Sequence, residues 1–323
     1  MGCATLSHKS LVSVLPSIPN AVDPAFVALL WGPWSGCFVF LWGLLWGSFA
    51  NVVIWRLPQG QSVVRPRSKC PHCQTPLSWK DNIPVFSYLW LRGQCRHCHA
   101  KISLRYLVVE VLAGFLSFTL YMEYVIRSLA EGGEPGLWAW GLWFGFCLCL
   151  LMITYTDLDW WVIPNKIVLP LAGVGFVAAL IAPQVLGIPA YEAVLAAGLG
   201  YGLIAGLRFI YQRLRGLEAL GLGDAKLLLA IGAFCGLRGL CWTVAAGAIQ
   251  GLIFSVPLLL SGRSVAKRKL EDVHGGDSEL GKEDPKAGVM GMRVPFGPFL
   301  ALAALEYVCL RTMIEDLFLW FTY

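Results

Sequence analysis

Charge is what this sequence has least of. Its 25 Lys and Arg and 20 Asp and Glu make up 14% of 323 residues, where an ordinary soluble domain carries about 25%. With 57% of residues hydrophobic, the chain has too little polar surface to cover a soluble body of this size, and it reads as an integral membrane protein. Strict alternation of apolar and polar residues is missing from the oily runs, which excludes a lipid-facing β-barrel. A convincing internal repeat is missing too, and with it the paired halves of many secondary transporters. The opening residues lack the uninterrupted apolar core of a cleaved signal, because LVSVLPSIP is broken by proline almost at once. Residues 1–25 are therefore expected to form an irregular extension.

What is present is a series of continuous apolar runs. Crossing the hydrocarbon layer as a helix takes about 20 such residues. Runs of this kind lie at 34–54, 106–126, 137–156, 163–182, 190–211, 224–236, 239–260 and 295–320. The expected fold is an all-α polytopic membrane protein with about eight transmembrane helices. The sixth run is short and begins in glycines, as a tilted segment or one enclosed by its neighbours would.

Basic residues set the expected orientation, since Lys and Arg in short loops stay on the cytoplasmic side. The connection after the first run carries Arg56, Arg65, Arg67, Lys69, Lys80, Arg92, Arg96, Lys101 and Arg105. The stretch before the last run carries Arg263, Lys267, Arg268, Lys269, Lys282, Lys286 and Arg293. Both belong inside; the short turn with Glu131 and Glu134, and the uncharged one at 183–189, belong outside, as do both termini. The net charge of +5 is thus topological information, and no nucleic-acid partner is expected.

One polar island interrupts the pattern. Between Arg56 and Arg105, Cys70 with Cys73 and Cys95 with Cys98 form two C-x-x-C pairs. Each two-residue gap lets two thiolates meet one tetrahedral ion, and zinc is the usual occupant of a four-sulfur site, although geometry alone admits iron. Disulfides are the rival reading, disfavoured in a reducing cytoplasm. A segment this short has little core of its own, so a metal would supply much of its folding free energy. His72, His97 and His99 are read as surface residues beside a complete sulfur shell. The other cysteines lie mostly in apolar runs and are read as small hydrophobes.

Acids at the ends of oily runs are the second departure. ITYTDLDWWVIPN places Asp157 and Asp159 at the inner end of the third run, and GLGDAKLLL places Asp224 at the inner start of the sixth. Ionisable groups at such depth mark function or pairing. Two carboxyls held together share one proton, leaving one as base and the other as acid, the arrangement that hydrolyses an amide without a covalent intermediate. Gly221 and Gly223 clear side chains from beside Asp224. Taken alone, G-L-G-D also reads as a helix start with Asp224 as its cap. The spacing does not choose between Asp157 and Asp159.

The ordered blocks GSFANVVIWRLP, the four-cysteine island with NIPVFSYLWLRGQC, ISLRYLVVE, TDLDWWVIPN, GLGDAKLLLAIGA and VPFGPFLA resemble the bacterial type IV prepilin peptidases and their type II secretion counterparts. The resemblance implies a G-x-G-D aspartic intramembrane protease that removes the leader of prepilins or pseudopilins at the cytoplasmic face of the inner membrane. It implies Asp157, six residues before the Ile-Pro step, and Asp224 as the catalytic pair, with Asp159 secondary. It implies a first helix at 26–56, a cytoplasmic zinc-binding domain at 57–105, and a helical membrane core at 106–323 with a flexible cytoplasmic loop at 262–293. Members with the cysteine island also resemble methyltransferases that N-methylate the new terminus with S-adenosylmethionine. No G-x-G-x-x-G loop is present, so methyl-donor residues are unassigned; Glu110, Asn51 and Arg56 stand equally as donor-site candidates or structural contacts. Glu123 and Glu306, also in apolar spans, are read as interhelical or interfacial polar contacts. Asn165 stands where many members have Asp. A proton-coupled transporter or a zinc-containing scaffold is the alternative class; the first expects carboxylates at midplane, and the second leaves the two acids without a purpose.

Overall fold

The computed structural model describes residues 24–215, 221–260 and 295–320; residues 1–23 of the expected extension and the 262–293 loop lie outside them. Among the described residues the fold is helical, with isolated bridges Lys69 to Pro76 and Gln94 to Lys101 in place of sheet. The principal helices are α1 (Pro24–Trp31), α2 (Pro33–Arg56), α3 (Phe86–Trp90), α4 (Leu104–Ala130), α5 (Leu137–Trp160), α6 (Asn165–Ile181), α7 (Ala190–Arg215), α8 (Leu222–Leu260), α9 (Gly297–Cys309) and α10 (Arg311–Trp320). Five of them are long and apolar enough to cross a membrane, six if the bent pair α9 and α10 counts as one span; α6 is apolar but has 17 residues. The chain is a multi-pass helical membrane protein.

The expected runs all fall on helices, the sixth and seventh together on α8 and the last on the bent pair α9 and α10. A continuous α8 of 39 residues would be about 58 Å long, far more than the ~30 Å hydrocarbon layer. It breaks at Gly236, whose backbone is non-helical at φ 65° and ψ −165°, and the Glu192 carboxylate accepts the Leu237 N–H freed by the break at 3.2 Å. The break falls between the expected sixth and seventh runs. The last run, read as one span, instead bends by 90° between α9 and α10. Arg311 sits at that bend, donating to Glu315 at 2.7 Å and to the Leu186 carbonyl at 2.8 Å.

Two compact units make up the described chain. The first comprises Ser78–Gly145 and the described residues up to Ser48. Its helices α2 and α4 approach closely because small residues meet: a Cβ on Gly43 would lie 2.7 Å from the Gly114 Cα, and one on Gly47 would lie 2.7 Å from the Glu110 Cα. Such stripes let membrane helices gain packing where no hydrophobic force drives them together. Val27, Val39, Tyr121, Val125 and Leu129 form its core, and the Ser117 hydroxyl donates to the Val39 carbonyl at 2.9 Å.

The second unit comprises Phe49–Leu77 and the described residues from Phe146 onward. Beyond its first turn the opening half of α8 is largely enclosed: Ala225, Leu227, Leu228, Ala230, Ile231, Ala233 and Phe234 are each fully buried. A helix apolar all round belongs inside a bundle, as the glycine-led sixth run suggested. Glycines admit it, since a Cβ on Gly232 would meet Ala196 at 2.6 Å and one on Gly175 would meet the Phe234 ring at 2.7 Å. Gln250 of α8 donates to both oxygens of Glu306 on α9, at 2.8 and 2.9 Å, so Glu306 makes the interhelical contact expected of it. Glu123 instead pairs along its own helix with Arg127 at 2.7 Å.

Candidate active site

Asp157 lies one turn before the end of α5, with its side chain buried at 7% exposure. The helix stops because Trp161 takes φ 55°, in the left-handed region that bulky residues rarely adopt, and its N–H closes on the Asp157 carbonyl at 2.9 Å. The chain then turns through Ile163 and Pro164 into α6. Proline at this step fits, since its missing N–H costs nothing where a helix begins.

Three more elements of the same unit converge on this turn. Asp224 lies in the first turn of α8, half-buried, and its charge acts on the Asp157 carboxyl. The Lys226 ammonium donates to Asn165 Oδ1 at 2.9 Å, tying the start of α8 to the start of α6. The start of α9 supplies Gly297, whose backbone N–H donates to the Asp157 carboxylate. A Cβ on Gly297 would lie 2.6 Å from Asp157 Oδ2 and 3.0 Å from Ile163 Cδ1, and one on Gly223 would lie 3.1 Å from Ile163 Cβ. Ile163 is thus a wedge between the glycine that precedes one acid and the glycine that donates to the other. Gly221 stands against Asp224 with more room, its added Cβ 3.7 Å from Oδ2.

The sequence reading named both acids and missed Gly297 and Ile163. A signal existed for the first: Phe-Gly-Pro at the head of an oily run is a helix start with exposed N–H groups. Its target, however, lies in a segment more than a hundred residues earlier.

The four cysteines come together as their spacing requires. Their Sγ atoms all lie within 4.8 Å of one another, and among the described residues they form the one group of three or more such side chains able to hold a metal. Tetrahedral sulfurs about 2.3 Å from zinc would be about 3.8 Å apart, so the set fits a four-thiolate ion. Two similar knuckles present the ligands. In the first, the Cys70 N–H donates to the Thr75 carbonyl at 3.0 Å and Gln74 takes φ 58°; in the second, the Cys95 N–H donates to the Ala100 carbonyl at 2.9 Å and His99 takes φ 56°. Between the pairs, Asp81 accepts from the Ser78 hydroxyl and from Arg96 Nε, each at 2.7 Å. The Ser78 hydroxyl, ahead of Arg96, holds its carboxyl below the ordinary 3.8 although desolvation opposes this.

Residues 41–124 match the bacterial peptidase A24 N-terminal domain, and residues 143–256 match the type IV leader peptidase family. The chain belongs to the type IV leader peptidase family. It is 31% identical to the prepilin leader peptidase/N-methyltransferase of Myxococcus xanthus over 86% of this chain and 91% of that one. It is 34% identical to the protein of that name from Aeromonas hydrophila, covering 82% and 87%, and 37% identical to that of Klebsiella pneumoniae, covering 69% and 95%. No solved structure matches it. All four cysteines fall in the N-terminal family region and both acids in the leader peptidase region, whereas Gly297 lies beyond either.

The donor-site candidates lie on α2 and α4. Glu110 accepts the Val85 N–H at 2.8 Å and a hydrogen bond from Ser48, while Arg56 donates to the Ser62 and Pro66 carbonyls at 3.2 and 2.9 Å. Asn51 is buried.

Proposed function

We propose that this chain is a membrane-embedded aspartic endopeptidase. It removes the leader peptide of type IV prepilins or type II secretion pseudopilins and then N-methylates the new terminal residue with S-adenosylmethionine. The observation that carries the reading is the meeting of Asp157 and Asp224, from helices far apart in sequence, in a glycine-lined turn of a family whose relatives bear that name.

The chemistry follows from what the pair can do. One carboxylate takes a proton from water as the water oxygen attacks the scissile carbonyl, while the other, protonated, gives its proton to the carbonyl oxygen; when the C–N bond breaks, the proton taken from water passes to the departing amine and the second acid recovers its proton as the carbonyl re-forms. Neither acid bonds to substrate. Gly297 fixes the Asp157 carboxyl through its N–H, and Gly221, with open room beside Asp224, leaves space for an extended peptide backbone, while Gly223 is closed by Ile163. S-adenosylmethionine supplies the methyl group to the amine that cleavage exposes.

The basic residues of the 56–105 connection support placing the cysteine module and the acid pair at the cytoplasmic face of a bacterial inner membrane. There they attract anionic lipid and leave the positively charged leader in the aqueous layer while the hydrophobic part of the pilin stays in the bilayer. We assign Zn2+ to Cys70, Cys73, Cys95 and Cys98 as a structural ion. The test is purified enzyme in lipid nanodiscs, incubated with a prepilin with and without S-adenosylmethionine. Cleavage alone without the donor, and cleavage plus one methyl group with it, is the expected result. An intact prepilin after incubation with well-folded enzyme refutes the peptidase.

A further inference from the structure

An apolar face lies exposed on the polar island. Trp90 is 82% exposed, Trp79 69%, Phe86 62% and Leu89 61%. Phe86, Leu89 and Trp90 follow the i, i+3, i+4 spacing that puts them on one side of α3. Water-facing clusters of large apolar residues in a small module mark a surface made to be covered.

Hydrogen bonds within the first unit fix the height of α3. The Val85 N–H, at its start, donates to Glu110, the seventh residue of α4 and so about 9 Å along that helix. From its other end, the Gly93 N–H donates to the Tyr88 carbonyl at 2.8 Å, the Ile102 N–H to the Gly93 carbonyl at 2.7 Å, and the Tyr88 hydroxyl to the Ile102 carbonyl at 3.3 Å. Ile102 stands two residues before α4 begins. Thus α3 is held beside the opening turns of a helix long and apolar enough to cross the membrane, and its level is that of the lipid–water boundary.

Two further features select the occupant. Along α4, Leu104, Val108, Leu112 and Phe115 form an exposed apolar stripe, so the helix that holds α3 through Glu110 has a face apolar enough to meet lipid. The segment is also basic: Lys80, Arg92, Arg96, Lys101 and Arg105 stand against one acid, Asp81, which Arg96 pairs at 2.7 Å. The Lys80 ammonium lies 5.6 Å from the Trp79 ring centroid. Tryptophan with adjacent cations is the composition of protein that rests in the headgroup layer of an anionic membrane.

We propose that the Trp79, Phe86, Leu89 and Trp90 face docks in the headgroup region of the anionic bilayer that α4 spans, so that the module lies on the membrane. This contact is independent of the peptidase chemistry. It sets the height at which the module is held, and the partner it takes is lipid.

The test uses the full-length protein in nanodiscs of phosphatidylcholine with and without phosphatidylglycerol. A photo-crosslinking phenylalanine analogue replaces Phe86 or Trp90, one at a time, or Phe115 as the lipid-facing reference; an aromatic at an exposed aromatic position leaves packing intact. Lipid adducts at 86 and 90, with yields that rise severalfold when phosphatidylglycerol is included, are expected. Absence of lipid adducts at 86 and 90 while 115 labels overturns the proposal. So do adducts to a second copy of the chain, or adducts that pass from lipid to an added prepilin. Lipid adducts whose yield ignores phosphatidylglycerol overturn the preference for anionic headgroups.

Discussion

The acid pair and the cysteine cluster are both built from two distant pieces of sequence, yet they are held in opposite ways. Around Asp157 and Asp224 the holding is done by packing: Gly223 and Gly297 let helix ends close on Ile163, and the acid rests under a backbone N–H in a buried bundle. Around Cys70 and Cys95 there is little packing to use; Trp79, Phe86 and Trp90 are exposed, and the knuckles are closed by backbone hydrogen bonds that gather four sulfurs able to hold a metal ion. A site held by packing is sensitive to single methyl groups and indifferent to chelators. A site held by ligation is the reverse.

The largest effects separate the two at their chemical centres. Asp157→Asn and Asp224→Asn are each expected to lower cleavage by about 10³-fold or more, near the upper end for losing general acid–base catalysis, while metal content measured by elemental analysis stays that of the wild type. Substantial cleavage by either variant would falsify the assignment of the pair. Next comes the module. Cys70→Ser or Cys95→Ser is expected to remove the bound ion and to open the island to limited proteolysis, since ligation supplies folding free energy that a fifty-residue segment otherwise lacks. Active wild-type protein that contains no metal sinks the zinc claim.

What was readable in the sequence divides along the same line. The cysteine cluster was fully legible, because two C-x-x-C pairs carry their geometry within a few residues. The break at Gly236 was legible as a gap between two oily runs. Choosing Asp157 over Asp159 required resemblance to a family, because what distinguishes them is what lies opposite: Asp157 is the acid that meets both the Gly297 N–H and the field of Asp224. The 90° bend after α9 was invisible for a similar reason. Residues 295–320 read as one run, but Arg311 is drawn to Glu315 and to the Leu186 carbonyl, a partner in another part of the chain. Contacts between elements distant in sequence decided each point that the sequence left open.

A smaller effect tests whether packing truly holds the acids. Gly297→Ala sets a methyl group against Asp157 Oδ2 and Ile163, and misplacing a catalytic group by a fraction of an ångström to an ångström costs about 10²-fold. The loss is expected in kcat, with KM close to wild type. Gly247→Ala is the matched control: its added Cβ meets Leu300 of α9 at 3.1 Å, away from the acids, so it perturbs the same helix without touching the carboxyl. Equal losses in the two variants would reduce Gly297 to a general packing residue.

The smallest effect belongs to the ion pair that braces the module. Asp81 accepts from Ser78 and Arg96, and its carboxyl titrates below 3.8. A depressed acid contributes stability that is fully present above its unfolded value and fades only as pH falls through the lower folded value. The Asp81 side chain is 4% exposed but its partner Arg96 is 45% exposed, so solvent screens the arginine arm of the pair, and Asp81→Asn, which keeps an oxygen to accept from Ser78, is expected to cost about 1 kcal/mol. Measured by hydrogen exchange across residues 78–96 in metal-loaded protein, the difference between wild type and Asp81→Asn should be constant from about pH 8 to about pH 5, because both ends of that range lie above the titration. A difference that dwindles toward pH 5 would place the titration too high for a carboxylate gripped by Ser78, and the brace would have to be sought elsewhere in the knuckles.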